Sequence, residues 1–264
     1  MITFKCASGW TVLRHSLSLL LCASVLAAPA SADEADAKRI FKAMTDYVDA
    51  QDVITFDYDS VLEVVTVDGE KLQLTSSGQL AMDRPDKMRA TRHGGFADVE
   101  LNFDGKTFTV FGKNLNVYAQ LEFPGDLDHL IDELRLNHGF VLPAADLLLS
   151  DSYKAMMTDV TEVKDLGSGI VGGVECDSLA FRTKEVDWQV WIAQGDRPYP
   201  CRYVITTRQM EGAPQFSVQV RNWKTGAQAS QTDFTFRNTS NATPIDLDAL
   251  RVDLPDNFKK REAQ

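Results

Sequence analysis

The sequence predicts an α+β fold that is mostly antiparallel β-sheet, arranged as one domain behind an N-terminal export signal. Apolar and polar residues alternate with a period of two through many short segments, which is typical of a sheet with one wet face and one apolar face. Turn dipeptides such as Asp68-Gly69 and Asp104-Gly105 separate those segments, as they do in hairpins. Apolar residues at helical spacing occur in only a few stretches, and these are candidates to cover the apolar face.

The first 32 residues have the parts of a secretory signal peptide. Lys5 and Arg14 precede an uncharged apolar stretch, and Ala30-Ser31-Ala32 offers small residues to a signal peptidase. The apolar run is about 12 residues, whereas a membrane-spanning helix needs about 20. An N-terminal membrane anchor is therefore the less favoured alternative. We expect cleavage after Ala32 and a single domain over 33–264.

The net charge argues against nucleic acid as a partner. The predicted signal takes two of the 27 basic residues and none of the 38 acidic ones, which leaves 25 basic against 38 acidic residues, a net charge of −13. Such a surface repels a phosphate backbone, and no basic aromatic patch offsets it. No later segment is long and apolar enough to span a membrane. We expect a mature chain with no nucleic-acid partner and no transmembrane segment.

Two cysteines, Cys176 and Cys201, remain after the signal is removed. In an oxidising exported compartment a disulfide between them is the expected state. Closing a loop of this length would stabilise the fold by roughly 3 kcal/mol in the chain-entropy model. A reactive or metal-binding pair is the alternative, but the C-x-x-C spacing and neighbouring histidines are missing.

The elements follow in order along the mature chain. Residues 36–51 carry apolar side chains at helical spacing, with Asp33 or Asp36 available to cap and charge the first turn. In the predicted strand from Phe56 to Val67, acidic side chains (Asp57, Asp59 and Glu63) alternate with apolar side chains at even positions (Phe56, Tyr58, Leu62 and Val64), which predicts solubilising charge on its wet face. The glycines between 167 and 173 predict the turns of a short hairpin. The further predicted strands cover 72–82, 88–92, 98–103, 106–111, 115–121, 178–183, 188–192, 202–208 and 216–223.

Two segments in the middle of the chain are candidates to cover the apolar sheet face. Residues 126–138 carry an apolar stripe opposed by charged residues, and Pro124-Gly125 and Gly139 bound it. Residues 143–157 add further leucines, a tyrosine and two methionines. From the pattern alone they are helices of an ordinary core, and an adaptable wall over a binding face is the alternative.

The sequence offers no recognisable catalytic or metal constellation, so we expect no enzyme, no cofactor and no metal. The histidines of the mature chain, His93, His129 and His138, form no H-E-x-x-H, and the cysteines lack zinc spacing. No G-x-S-x-G elbow is present. The glycines near 170 lack the G-K-[ST] ending of a phosphate loop.

Several short motifs, taken in order, resemble periplasmic lipoprotein carriers of the LolA type. Gly78–Leu80 followed by Arg84–Arg89 resembles a strand turn of those carriers. Phe103–Phe108 resembles their next hairpin, Tyr118–Gln120 the strand after it, and Leu142–Leu148 a later segment.

A closer resemblance is to the DUF2092 family of predicted periplasmic proteins, which is itself similar to these carriers. Its pattern is visible in 176–182, 186–192, 195–201, 212–215 and 222–223. The resemblance implies a periplasmic location and an unclosed, curved β-barrel whose apolar concave face is closed by a helical lid. On that basis the helices of 126–138 and 143–157 become lid candidates.

The implied site consists of apolar strand positions under that lid. The ligand-cavity candidates are Phe56, Tyr58, Leu62, Leu80, Met88, Leu101, Phe108, Val117, Trp188 and Val190. The lid candidates are Leu127, Leu130, Ile131, Leu134, Leu148 and Met156.

The leading hypothesis is a periplasmic binding or carrier protein for an apolar ligand, namely a lipid, an acyl chain or a lipoprotein. The alternative is a protein-interaction or sensing module without lipid transfer, because relatives of the implied fold contact an anti-sigma factor. A periplasmic or membrane protein would then dock on an exposed strand edge. An enzyme is the least favoured class.

Overall fold

One twelve-stranded sheet organises the described part of the chain. The computed structural model describes residues 34–95, 97–138, 142, 144–229 and 232–249, and the predicted signal and its cleavage site lie outside them. The strands are β1 Val53–Val65, β2 Lys71–Asp83, β3 Lys87–Gly94, β4 Asp98–Phe103, β5 Thr107–Gly112, β6 Val117–Glu122, β7 Glu162–Val171, β8 Val174–Arg182, β9 Val186–Ala193, β10 Pro200–Thr207, β11 Gln215–Thr225 and β12 Thr243–Pro244. The α-helices are α1 Glu34–Asp49, α2 Leu127–Leu136 and α3 Ser152–Met157.

The strand order shows an open sheet with β1 near its middle. The order is β12-β6-β5-β4-β3-β2-β1-β11-β10-β9-β8-β7, so β12 and β7 are its ends. Two runs of hairpins build it, one from β1 to β6 and one from β7 to β11, and the pairing of β1 with β11 joins them. Neighbouring strands are antiparallel, except that β12 runs parallel to β6. The fold is therefore α+β and mostly antiparallel, as the sequence predicts.

Strand register separates the sheet into an apolar inner face and a charged outer face. On β1 the even positions 54–64 face inward, and the register carries this face across the sheet to both ends. The odd positions face outward. There Asp57 accepts a hydrogen bond from Gln79 at 2.9 Å, and Asp59 pairs with Arg221 at 2.8 Å. Acidic residues that alternate with apolar ones thus lie on the outer face.

The α1 helix covers one wing of the inner face. Acidic residues occupy its first turn, where they complement the helix dipole. Its buried stripe includes Phe41, whose ring centroid lies 5.0 Å from that of Phe181 and 5.3 Å from that of Trp188. Tyr153 of α3 packs on the other side of Phe41, at 5.8 Å. The inner face of β8 and β9 is thereby sealed by two helices.

The α2 helix is positioned by its cap and by exposed polar bonds. Asp126 is the N-cap, and its side chain accepts from the backbone N–H of His129 at 2.9 Å. Asp128 accepts from the backbone and hydroxyl groups of Ser150, and Arg135 pairs with Asp146 at 2.7 Å. These bonds tie α2 to the segment that follows it, which forms a 3-10 turn at 145–148 and then α3.

The glycine-rich stretch differs from the predicted short hairpin. Gly167 and Gly169 lie inside β7, and the turn is made by Gly172 and Gly173, both with positive φ. The pairing with β8 shifts register between Asp165 and Ser168. Gly167, at φ +82°, takes up that bulge, because a left-handed conformation favours glycine.

The two cysteines are brought together on β8 and β10. Cys176 and Cys201 are buried free thiols whose sulfurs lie 2.7 Å apart. Burial raises the pKa of both thiols. The contact is compatible with the predicted disulfide, which stays a prediction.

We expect the exported protein to oxidise this pair, and Cys201→Ser to lower the free energy of unfolding by roughly 3 kcal/mol. Urea unfolding of both proteins, with and without a reductant, measures this effect. The reductant should lower the free energy of unfolding of the parent protein but not that of Cys201→Ser. Alkylation of the unfolded, unreduced protein provides the check. Two modified thiols in protein taken directly from the periplasm would contradict the disulfide.

Candidate ligand-binding face

The ten ligand-cavity candidates share the inner face. Register links Phe56 to Leu80 across β1 and β2, and Ser60 to Val218 across β1 and β11. The same register, followed from strand to strand toward both ends of the sheet, also places the candidates of β3, β4, β5, β6 and β9 on this inner face. The structure therefore places the predicted set on one surface, although it extends over much of the sheet.

Four of the ten candidates are packed beneath helices. Met88, Phe108, Trp188 and Val190 are buried in the same core cluster as Phe41. The other six are partly buried. The covered wings of the sheet are therefore ordinary core, and the accessible apolar surface lies elsewhere.

The lid candidates all pack inward. Leu127, Leu130, Leu134 and Met156 belong to that core cluster, and Leu148 packs against it. Ile131 is buried as well. The helical segments do cover the inner face, and the packing by itself fits a fixed core helix as well as a lid.

The apolar surface between the covered wings lies on the middle strands. We call it the central patch and define it by partly buried inner-face side chains of β1, β2 and β11: Phe56, Tyr58, Leu62, Leu74, Leu80 and Val218. At one end an aromatic stack extends the patch, with Trp223 parallel to both Phe56 and Tyr199 at centroid distances of 5.4 Å. Stacked rings of this kind offer a rigid apolar wall.

Tyr58 occupies the middle of the central patch because its partner is a glycine. An added Cβ at Gly78 would lie 2.7 Å from the Tyr58 ring and 1.9 Å from the carbonyl oxygen of Thr91. The phenol therefore crosses Gly78 and donates to that carbonyl at 2.9 Å. Burial raises the pKa of Tyr58, so the phenol stays neutral at physiological pH.

A small polar cluster interrupts the apolar surface beside Tyr58. Ser60 and Ser76 are opposite each other, with hydroxyl oxygens 2.8 Å apart and 6% exposure each. Nε of Arg92 donates to the Ser76 hydroxyl at 3.1 Å. Burial lowers the pKa of Arg92. Sequence reasoning missed this residue, although Met88 and Ala90 set the phase of β3 and so place position 92 on the apolar face.

A cleft of about 370 Å³ is lined mainly by outer-face residues of the middle strands, among them Thr55, Asp57, Gln79 and Lys224. Phe56 and Leu80 of the central patch also contribute to its lining. Because most of the lining is polar or charged, the cleft suits water and small polar solutes better than an apolar chain.

No group of three or more His, Cys, Asp or Glu side chains within the described ranges is placed to hold a metal ion. Of the helices that the structure describes, none combines the length and apolarity needed to cross a membrane.

The described residues define an α+β protein built as an open antiparallel sheet, with helices over part of its apolar inner face. The family model of DUF2092, a predicted periplasmic protein, matches residues 37–248. The chain therefore belongs to the DUF2092 family.

Solved structures with a related arrangement are distant in sequence. The Mycobacterium tuberculosis lipoprotein LppX is 12% identical, with a TM-score of 0.43 over 72% of this chain and 96% of its own. LprF from Mycobacterium bovis is 10% identical, with a TM-score of 0.44 over 75% of this chain and 97% of its own. MucB in the Pseudomonas aeruginosa MucA/MucB complex is 14% identical, with a TM-score of 0.43 over 74% of this chain and 59% of that chain. No curated protein matches this chain significantly.

Proposed function

We propose that the protein is a periplasmic binding or carrier protein for an apolar ligand, which it holds on the inner face of the open sheet. The lipid, acyl chain or lipoprotein named from the sequence remains the proposed class of ligand. The observation that carries the proposal is the central patch, an apolar surface that the helices leave partly accessible. Its location in the periplasm is supported by the description of the family.

A ligand that extends beyond the central patch would compete with α2 for the inner-face surface that this helix covers. Burying a methylene group is worth about 0.8 kcal/mol, and a fully buried leucine side chain about 1.5–3 kcal/mol. The buried side chains of α2 therefore stabilise the covered state by an amount comparable with what a long acyl chain gains on binding. A ligand that binds only the uncovered state shifts the population toward it. In this mechanism α2 acts as the reversible cover and α1 stays in place.

The proposal predicts that affinity increases with acyl-chain length. Each added methylene should strengthen binding by up to about fourfold, the equivalent of 0.8 kcal/mol, until the central patch is filled. A fluorescent fatty-acid displacement titration across a series of chain lengths measures this. Mass spectrometry of organic extracts of the purified mature protein identifies any lipid that it already carries.

The absence of saturable uptake at every chain length, together with extracts free of lipid, would count decisively against the carrier proposal. Ovalbumin purified and extracted in the same way is a suitable control for adventitious lipid.

A protein-interaction module is the second candidate function, and the exposed end strand β7 favours it. Leu166 and Ile170 are exposed apolar residues on this strand, at one end of the sheet order. A partner could add a strand there by β-augmentation, with main-chain hydrogen bonds giving affinity. A pull-down from periplasm should then yield one stoichiometric protein partner and no lipid, and Ile170→Lys should lose that partner. This result would favour the interaction function over the carrier function.

A further inference from the structure

We propose that the polar cleft over the middle strands is a second binding site, which takes a small zwitterion such as a free α-amino acid. Lys224 would bind the carboxylate of that ligand, and Asp57 would bind its ammonium group. Both residues lie on the outer face of the sheet and line the cleft. The inference is therefore independent of the function proposed for the inner face.

The shape of the cleft follows from one rung of the sheet. Four residues of its lining lie side by side on β11, β1, β2 and β3, namely Lys224, Thr55, Ala81 and Arg89. Two long side chains thus stand at the ends of the rung, with two short ones between them, and the end Cα atoms are three strand spacings or about 14 Å apart. The resulting depression has a volume of about 370 Å³, at the small end of the range for ligand sites.

Lys224 supplies the cation of the site. Its ammonium group has no hydrogen-bond or ion-pair partner among the described residues. The other cation of the rung, Arg89, is already paired with Glu100 at 2.9 Å, so it forms one wall of the cleft. Lys224 is therefore the cation that is available to a carboxylate, and the hydroxyl group of Thr55 on the neighbouring strand is a further donor in the lining.

Asp57 supplies the anion, and two amides fix its position. Its carboxylate accepts from Nε2 of Gln79 at 2.9 Å and from Nδ2 of Asn222 at 2.6 Å, and both amides also line the cleft. Because a carboxylate only accepts, the amides turn their NH₂ groups toward it and keep their carbonyl oxygens for other donors. Neither amide is charged, so the negative charge of Asp57 remains available to an ammonium group.

The spacing of the two charges favours one small molecule that carries both signs. Lys224 lies opposite Thr55, and Asp57 is the next outward residue along β1, so the two are diagonal neighbours with Cα atoms roughly 7–8 Å apart. A simple anion would be repelled by Asp57, and a simple cation by Lys224. An α-amino acid bears its carboxylate and its ammonium group on one carbon atom, so it can contact both charges at once.

The test compares three ligands that differ at the two charged groups: L-serine, L-serinamide without the carboxylate, and N-acetyl-L-serine without the ammonium group. Isothermal titration calorimetry at low ionic strength, where screening is weak, gives dissociation constants for the unmodified mature protein, Lys224→Gln and Asp57→Asn. Lys184→Gln and Asp59→Asn are the matched controls, because they make the same changes in charge at residues that do not line the cleft. Thermal unfolding verifies that each variant folds.

We expect the unmodified protein to bind L-serine about 10-fold more tightly than either analogue, which corresponds to one hydrogen bond to a charged group. Lys224→Gln should weaken L-serine about 10-fold but should not weaken L-serinamide, which has no carboxylate to lose. Asp57→Asn should weaken L-serine by about the same factor but not N-acetyl-L-serine, which has no ammonium group. The two control variants should bind all three ligands as the unmodified protein does.

Equal affinity for the three ligands, or equal losses in the cleft variants and the controls, would overturn the zwitterion site. A lack of L-serine binding by the unmodified protein would also overturn it, because the groups that the site recognises are common to all α-amino acids. If Asp57→Asn fails to fold, Lys224→Gln decides, since the Lys224 ammonium group has no partner whose loss could unfold the protein. Unchanged L-serine affinity in that variant would refute the site, and a fatty-acid titration of the same proteins measures the inner face separately.

Discussion

Leu130→Glu is expected to lower the free energy of unfolding by about 3–5 kcal/mol and to expose the inner face. Leu130 is 0% exposed in the core cluster. The substitution removes a buried leucine and puts a carboxylate into an apolar site, and each change alone costs several kcal/mol. If α2 covers the face reversibly, its displacement leaves the sheet folded, and binding of an apolar dye increases.

Urea unfolding and dye fluorescence measure the two effects, with far-ultraviolet circular dichroism to follow the sheet. Leu136→Glu is the matched control, because Leu136 ends the same helix and is 77% exposed. That variant should match the parent protein in both measurements. Unchanged stability and dye binding in Leu130→Glu would show that α2 neither covers the face nor supports the core.

Period-two alternation predicted which face each strand residue occupies. From Phe56 onward the even positions of β1 are apolar except for Ser60, and the structure puts them all inward. Alternation succeeds here because a strand turns successive side chains to opposite faces, and a wet outer face leaves a clear contrast in polarity. The same alternation, applied to Met88 and Ala90, would have placed Arg92 on the inner face. A single charged residue after several apolar ones is, however, easily taken as the end of the strand.

The sequence did not indicate what covers each part of that face. Trp188 and Phe56 have the same alternation, yet Trp188 lies beneath Phe41 and Phe56 stays partly accessible. This difference comes from where α1 and α2 dock, which depends on contacts between residues far apart in the chain. The pairing of β1 with β11, which brings Ser60 to Val218, is equally non-local, and no local pattern encodes it.

Glycines in the sequence predicted the positions of turns better than they predicted the bulge within a strand. Gly69 and Gly105 have positive φ in the turns where they were expected. Gly167 also has a positive φ but sits within β7 at a bulge. Because both environments need the same backbone conformation, a glycine alone does not distinguish a turn from a bulge.

Phe41→Ala is expected to lower the free energy of unfolding by about 3–5 kcal/mol. The Phe41 ring is fully buried between Phe181, Trp188 and Tyr153, with centroid distances of 5.0, 5.3 and 5.8 Å. Its removal leaves a cavity at the junction of α1, α3 and the sheet, which tightly stacked aromatic neighbours cannot fill without shifting. Thermal and urea unfolding measure the loss, and Arg39→Ala on the exposed side of α1 is the control.

The same variant separates the two helical covers. If α1 is fixed core and α2 is the cover that ligand displaces, Phe41→Ala reduces stability but leaves affinity for palmitate unchanged under conditions where the variant stays folded. Leu130→Glu, in contrast, should tighten palmitate binding, because the ligand no longer competes with α2 for the inner-face surface beside the central patch. Equal effects of both substitutions on affinity would contradict this division, since the helices would then form one cooperative core and any ligand would have to open both together.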